Sequence, residues 1–157
     1  MRPQNIHAMK RITEYKKLFG VEKDIELKEL KKSYRNLVKE WHPDKFQEGD
    51  ERQAEAEINS RKIIDGYHFL VSIAPETRAA NLEEFKETTN VAGIEDFQHK
   101  GMLLEITYLD GNTYEFFGVT RKIYIKMVNS DKLNRFAKRN IYPNYLYRKS
   151  KKTAEHA

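Results

Sequence analysis

Apolar positions recur at helical spacing through the first half of the chain and alternate through part of the second, the change falling near Gly101. Leu27, Leu30, Tyr34, Leu37, Val38 and Trp41 repeat at steps of three and four, which predicts a helix with one apolar stripe. Asp24 is the nearest good N-cap type, and Glu26 and Glu29 suit the positive end of the dipole. Pro43 ends this helix because it lacks an N–H and biases His42 away from helical dihedrals. Further on, Leu104, Ile106 and Tyr108 face one way and Glu105 and Thr107 the other, the pattern of a half-buried strand. Asp110-Gly111 supplies a hairpin turn, and a second strand returns over 113–117 with Tyr114 and Phe116 on one face. Thr120 or Arg121 opens a short helix carrying Ile123, Met127 and Val128. Ser130 caps another, with Leu133, Phe136 and Ala137 inward and Lys132, Arg135 and Arg139 outward. Tyr145-Leu146-Tyr147 alternates again as a third strand. Between the halves, 82–86 continues a helix while 88–93 has loop composition, so a linker is expected over 83–98.

Charge separates the halves further. Residues 1–90 hold 17 basic and 17 acidic side chains, and residues 91–157 hold 12 and 7, so the net +5 lies in the second half. From Arg121 to Lys152 the only acid is Asp131. In the first half, Lys28, Lys31, Lys32, Arg35 and Lys39 line a second face of the predicted helix, and His42-Pro43-Asp44 stands at its exit. A charge run alone is usually a solvated face. A rigid helix exit beside a positive surface suits docking onto an acidic partner better than chemistry on a small molecule.

The other function classes find little support. His42 with Asp44 is a conceivable acid–base pair, but His7, His68, His99 and His156 are scattered and no nucleophile motif, phosphate loop or HExxH run accompanies them. Metal binding by the pair lacks further ligands at suitable spacing. The chain has no cysteine, which excludes disulfides, cysteine-ligated zinc and thiol catalysis. No cofactor, metal or enzymatic activity is expected. No apolar run is long enough for a membrane span, and residues 1–11 lack the apolar core of a signal peptide. A cytoplasmic protein with no membrane partner is the expectation.

The first half resembles a J-domain, the module by which DnaJ-type co-chaperones engage DnaK-type ATPase chaperones. The resemblance covers residues 12–82. It is carried by Tyr15, Leu18, Phe19, Gly20 and Val21 at the end of a first helix, with Gly20 as its C-cap. It continues through the stretch from Leu30 to Leu37, Trp41-His42-Pro43-Asp44-Lys45, and Ile63, Gly66, Tyr67 and Leu70 of a third helix antiparallel to the second. Pro75, Glu76, Arg78, Ala79 and Ala80 resemble a short fourth helix. Two departures stand out. Ser60 replaces a usual core aromatic, a space that Ile58 or Phe46 would refill, and Ile73 and Ala74 lengthen the turn before Pro75. The resemblance implies that Lys31, Lys32, Tyr34 and Arg35 dock on the chaperone. It also implies that His42, Pro43 and Asp44 trigger its ATP hydrolysis, with Lys45 adding charge. The protein would be an activator of another protein's ATPase.

The second half resembles the KTSC domain, named from its occurrence at the end of some lysyl-tRNA synthetases, over about residues 97–150. The resemblance rests on the Asp110-Gly111 hairpin, on the run from Tyr114 to Val119 and on the run from Tyr142 to Lys149. Phe116-Phe117 stands where that family often has paired tyrosines. It implies no established activity. Lys132, Arg135, Lys138, Arg139, Arg148 and Lys149 interleaved with Tyr142, Tyr145 and Tyr147 could bind RNA, cations meeting phosphates and rings stacking on bases. The competing reading makes these tyrosines core residues beneath a solvated basic surface, and no RNA-binding fingerprint is present. The expected architecture is α+β, an all-helical J-domain (12–82), a linker (83–98) and a KTSC-like hairpin-and-helix domain (99–152). The expected function is a co-chaperone for a DnaK-type ATPase whose second domain is an adaptor for a client or location. The alternative is an RNA- or ribosome-associated module tethered to the chaperone.

Overall fold

The computed structural model describes residues 7–47 and 49–150, so Lys151, Lys152 and His156 lie outside the described residues. The chain forms two compact units, one of residues 12–77 and one that includes residues 78–150.

The first unit is helical. Helix α1 (His7–Leu18) closes on Gly20, whose φ of 69° lets Gly20 N–H reach Lys17 O and Val21 N–H reach Lys16 O, at 3.2 and 2.8 Å. Helix α2 (Leu27–Trp41) and helix α3 (Glu51–Ile73) carry the bulk of the packing. Tyr34 meets Tyr67, and Pro43 lies beside Ser60. Partners whose numbers fall on one side as they rise on the other mark the two helices as antiparallel. Leu30, Ala56, Ile63, Gly66, Phe69, Leu70 and Ile73 are buried. Gly66 is required by close approach, since a Cβ there would stand 2.7 Å from the Tyr15 ring.

Three local expectations are corrected. Asp24 does not cap α2: the Glu76 carboxylate accepts the Leu27 N–H at 2.8 Å, a tertiary cap from helix α4 (Pro75–Ala80). Ile58 does not refill the space at Ser60, because it is 69% exposed. Ile73 and Ala74 do not lengthen a turn. Ile73 ends α3 and Ala74 caps it, and both are buried.

The second unit is a four-stranded antiparallel sheet in the order β1 (Ile94–Lys100), β2 (Leu103–Tyr108), β3 (Thr113–Phe117), β4 (Leu146–Lys149). Helices α5 (Leu82–Val91), α6 (Arg121–Val128) and α7 (Leu133–Asn140) complete it. Leu104, Ile106, Tyr108, Tyr114 and Phe116 share one core with Met127 of α6 and Ala137 of α7. Gly111 takes φ 91° in the hairpin, where Tyr108 N–H bonds Asn112 O at 2.8 Å. Thr120 caps α6 as expected. Ser130 instead bonds the Lys132 N–H ahead of α7, and Val128 points to solvent.

The expected linker over 83–98 is corrected more deeply. It is occupied by helix α5 and most of strand β1. Phe85 is buried, its ring stacked 3.8 Å from that of Tyr147 and edge-on to Tyr114 and Tyr142. Thr88 and Thr89, which lend the stretch its loop composition, are buried: Thr88 donates to Asp110 and Thr89 to Phe85 O. No described helix is long and apolar enough to cross a membrane.

Two outcomes follow from this core. Phe85→Ala should destabilise the second unit by about 3–5 kcal/mol, read as lost hydrogen-exchange protection in β2 and β3, whereas a linker residue would leave protection unchanged. Burial also pushes the Tyr142 phenol up to about 12, the Tyr108 hydroxyl's hydrogen bond pulling the other way. Burial raises Tyr108 and Tyr114 in the same direction. Each folded pKa lies above the free value near 10, so the stabilisation is complete below pH ~10 and is lost as pH rises through the folded values. Near-ultraviolet titration should show tyrosinate appearing together with loss of the sheet's circular dichroism.

Candidate functional site

The site is built where α2 stops. His42 has φ −61° and ψ 128°, extended backbone that breaks the helix, and Pro43 opens a single 3-10 turn over Pro43–Lys45. Lys45 N–H bonds His42 O at 3.0 Å and Phe46 N–H bonds Pro43 O at 3.1 Å. His42 caps this turn, its Nδ1 accepting the Asp44 N–H at 3.2 Å. The Asp44 carboxylate lies 3.6 Å from the same Nδ1. The His42 side chain is 50% exposed and that of Asp44 is 92% exposed. The imidazole is bonded to its own turn, and both side chains face solvent, a presentation open to contact with another molecule.

The basic residues lie as the spacing predicts. Lys31, Lys32 and Arg35 are exposed on α2, Arg35 standing about 10 Å along the helix axis from His42, and Lys45 is exposed just beyond the turn. Tyr34 differs from its neighbours. It is half-buried and stacked on Tyr67 with ring centroids 4.2 Å apart, so it anchors α2 to α3 as well as edging the basic face. Trp41 and Phe46 stack across the turn at 6.5 Å.

Residues from α3 that sequence reasoning did not assign complete the surroundings. Glu57, Ser60, Arg61 and Ile64 form a cleft with Pro43. The signal was the serine at an expected aromatic position: the missing ring leaves a cleft beside Pro43.

The basic set of the second unit divides. Lys132, Arg135, Lys138 and Arg139 are exposed around α7. Arg148 is not available: its guanidinium lies 2.6 Å from the Glu115 carboxylate, both side chains about nine-tenths buried. Lys149 is paired with Glu84. Tyr142, Tyr145 and Tyr147 are half-buried and pack against the core, which leaves less of each ring for stacking. Among the described residues no group of three metal-ligating side chains comes together.

Comparison with known proteins agrees with both geometries. The DnaJ domain model matches residues 14–80, and the KTSC domain model matches residues 90–145. Chaperone protein DnaJ of Mesomycoplasma hyopneumoniae is 38% identical over 73 residues, covering 46% of this chain and 19% of that protein. Chaperone protein DnaJ of Thermotoga petrophila is 38% identical over 66 residues, 42% of this chain and 16% of that protein. DnaJ homolog subfamily B member 6 of Gallus gallus is 36% identical over 59 residues, 38% of this chain and 17% of that protein. The chain thus spans less than a fifth of the length of these relatives. No solved structure matches.

Two substitutions test the assignments. Arg148→Ala strands the Glu115 charge in the sheet and should cost about 3–5 kcal/mol in chemical denaturation. Ser60→Phe, by filling the cleft, should add about 0.5–2 kcal/mol to the stability of the first unit by the same measurement.

Proposed function

We propose that this chain, which joins a DnaJ-type J-domain to a KTSC domain, is a co-chaperone that docks on a DnaK-type ATPase and stimulates its ATP hydrolysis. The J-domain implies an Hsp70/DnaK partner in general, and J-domain proteins of this type are regulators and not enzymes in their own right. The observation that carries the reading is the presentation of His42, Pro43 and Asp44 on a rigid turn at the exit of a basic helix.

In this reading Lys31, Lys32 and Arg35 meet acidic side chains of the chaperone first. Exposed pairs of this kind contribute under ~1 kcal/mol each, so association is fast, weak and salt-sensitive. Tyr34 adds contact area at the edge of the basic face while its ring keeps α2 seated on α3. The turn then acts as a shaped wedge. The imidazole is oriented by the Asp44 N–H bond to His42 Nδ1, so less of its freedom is lost on docking, while the Asp44 carboxylate stays exposed beside it. The trigger works by differential binding: it favours the chaperone conformation competent for hydrolysis and supplies no catalytic group. The second domain serves as an adaptor for a client or a location.

Steady-state ATP hydrolysis by the DnaK-type chaperone of the same cell should rise severalfold on adding this protein, and His42→Gln should abolish the rise without lowering thermal stability. Lys31→Glu with Arg35→Glu should raise the half-saturating concentration at least about tenfold at low salt. No stimulation, or equal stimulation by the His42 variant, would sink the reading.

A further inference from the structure

Helices α6 and α7 carry cations at both ends, the N-terminal ones against the helix dipole. Arg121 and Lys122 open α6, Lys132 is the N-cap of α7 and Arg135 lies in its first turns, and neither helix has an acid in its first turn. The N-terminal end of a helix is the positive end of its dipole, so these charges oppose the fold that displays them. Lys126, Lys138 and Arg139 add three more exposed cations on the same two consecutive, contacting helices. Among the described residues none of the seven pairs with a carboxylate. Elsewhere in the same unit Arg148 pairs with Glu115 and Lys149 with Glu84. Within residues 121–152 Asp131 is the only acid, so these two helices carry an excess of positive charge that suits an external anion.

The same surface carries apolar side chains. Arg121, Ile125 and Val128 follow one another at i, i+4 and i+7, and Ile125 and Val128 are 44% and 52% exposed. A phosphodiester backbone gains nothing from covering an isoleucine and a valine, and the tyrosines that would stack on bases are engaged in the core. An acidic protein segment with apolar side chains at helical spacing satisfies both features, its carboxylates meeting the cations and the helix N-termini and its apolar face covering Ile125 and Val128.

We propose that the outer faces of α6 and α7 form a docking surface for an acidic, amphipathic segment of a partner protein. The inference deepens the adaptor reading of the second domain and rests on it, while its test is independent of ATPase stimulation. Fluorescence anisotropy of the full chain at low salt would use three probes of equal length or charge. These are a labelled peptide of Glu and Leu at helical spacing, a poly-Glu peptide and a single-stranded RNA. The Glu/Leu peptide should bind tightest. Lys126→Glu with Arg135→Glu should abolish that binding. Ile125→Ser with Val128→Ser should weaken it about tenfold, with thermal stability unchanged because both side chains are exposed. RNA binding tighter than the peptide, and indifferent to the Ile125 and Val128 changes, would make this a nucleic-acid surface and overturn the proposal. Equal binding of poly-Glu, or no binding of any probe, would overturn it as well. ATPase stimulation that survives such a result would leave the co-chaperone reading in place.

Discussion

The first unit depends on one covalent constraint, the ring of Pro43. It removes an N–H that would otherwise continue α2 and turns His42 to an extended conformation, so a 15-residue helix stops at Trp41. Everything near the site is arranged by that stop. The chain reverses through a single 3-10 turn, Trp41 and Phe46 close over it, and α3 returns antiparallel so that Tyr67 stacks on Tyr34. The His42 ring and the Asp44 carboxylate project outward because the backbone bonds of the turn are already satisfied internally. A helix that simply frayed here would present the same three side chains in many geometries. Docking would then have to select one at an entropic cost.

The second unit obeys a different constraint, the need to cover one face of a small sheet. Two eight-residue helices supply part of the cover. The rest comes from upstream of the hairpin, where Phe85 of α5 lies between Tyr147 on β4 and the rings of Tyr114, Tyr142 and Phe116. The KTSC match begins at residue 90 and ends at 145, so Phe85 and Tyr147, the pair stacked most closely in this core, both lie outside it. The unit that packs is larger than the unit that matches. Buried Arg148 and Glu115 fit that view, since their mutual neutralisation lets β3 and β4 bury charge in a sheet whose five β3 residues are all buried.

What the sequence revealed follows the strength of local pattern. Helix α2 and strand β2 were legible because their apolar positions keep one period and their polar faces stay solvated. Strand β1 was not. It is an edge strand with a register shift between Ile94 and Asp96, and burial alternates only over 96–100, where Phe97 is the one large apolar residue. Helix α5 was hidden by Thr88, Thr89 and Asn90, residues with little intrinsic helix preference. One of them is tied by a tertiary bond, Thr88 to the hairpin's Asp110, while Thr89 bonds back to Phe85 O within the helix. The same limit applied to function. His42, Pro43 and Asp44 form a contiguous motif and were found directly, whereas the Glu76 cap of α2 and the Ser60 cleft join residues far apart in sequence. Arg148 looked like its basic neighbours because burial leaves no mark on a single charged letter.

The two basic surfaces differ in kind, and that difference bears on how each would be used. On α2 Lys28, Lys31, Lys32, Arg35 and Lys39 share one face with Glu29 and Glu40 flanking it, and the shaped turn stands at its end. Around α6 and α7 the only acid is Asp131, no side chain forms a rigid motif, and the apolar residues are few. A surface of the first type discriminates by geometry and tolerates weak charge. A surface of the second type attracts by net field and therefore responds more steeply to salt, with selectivity set by what Ile125 and Val128 cover.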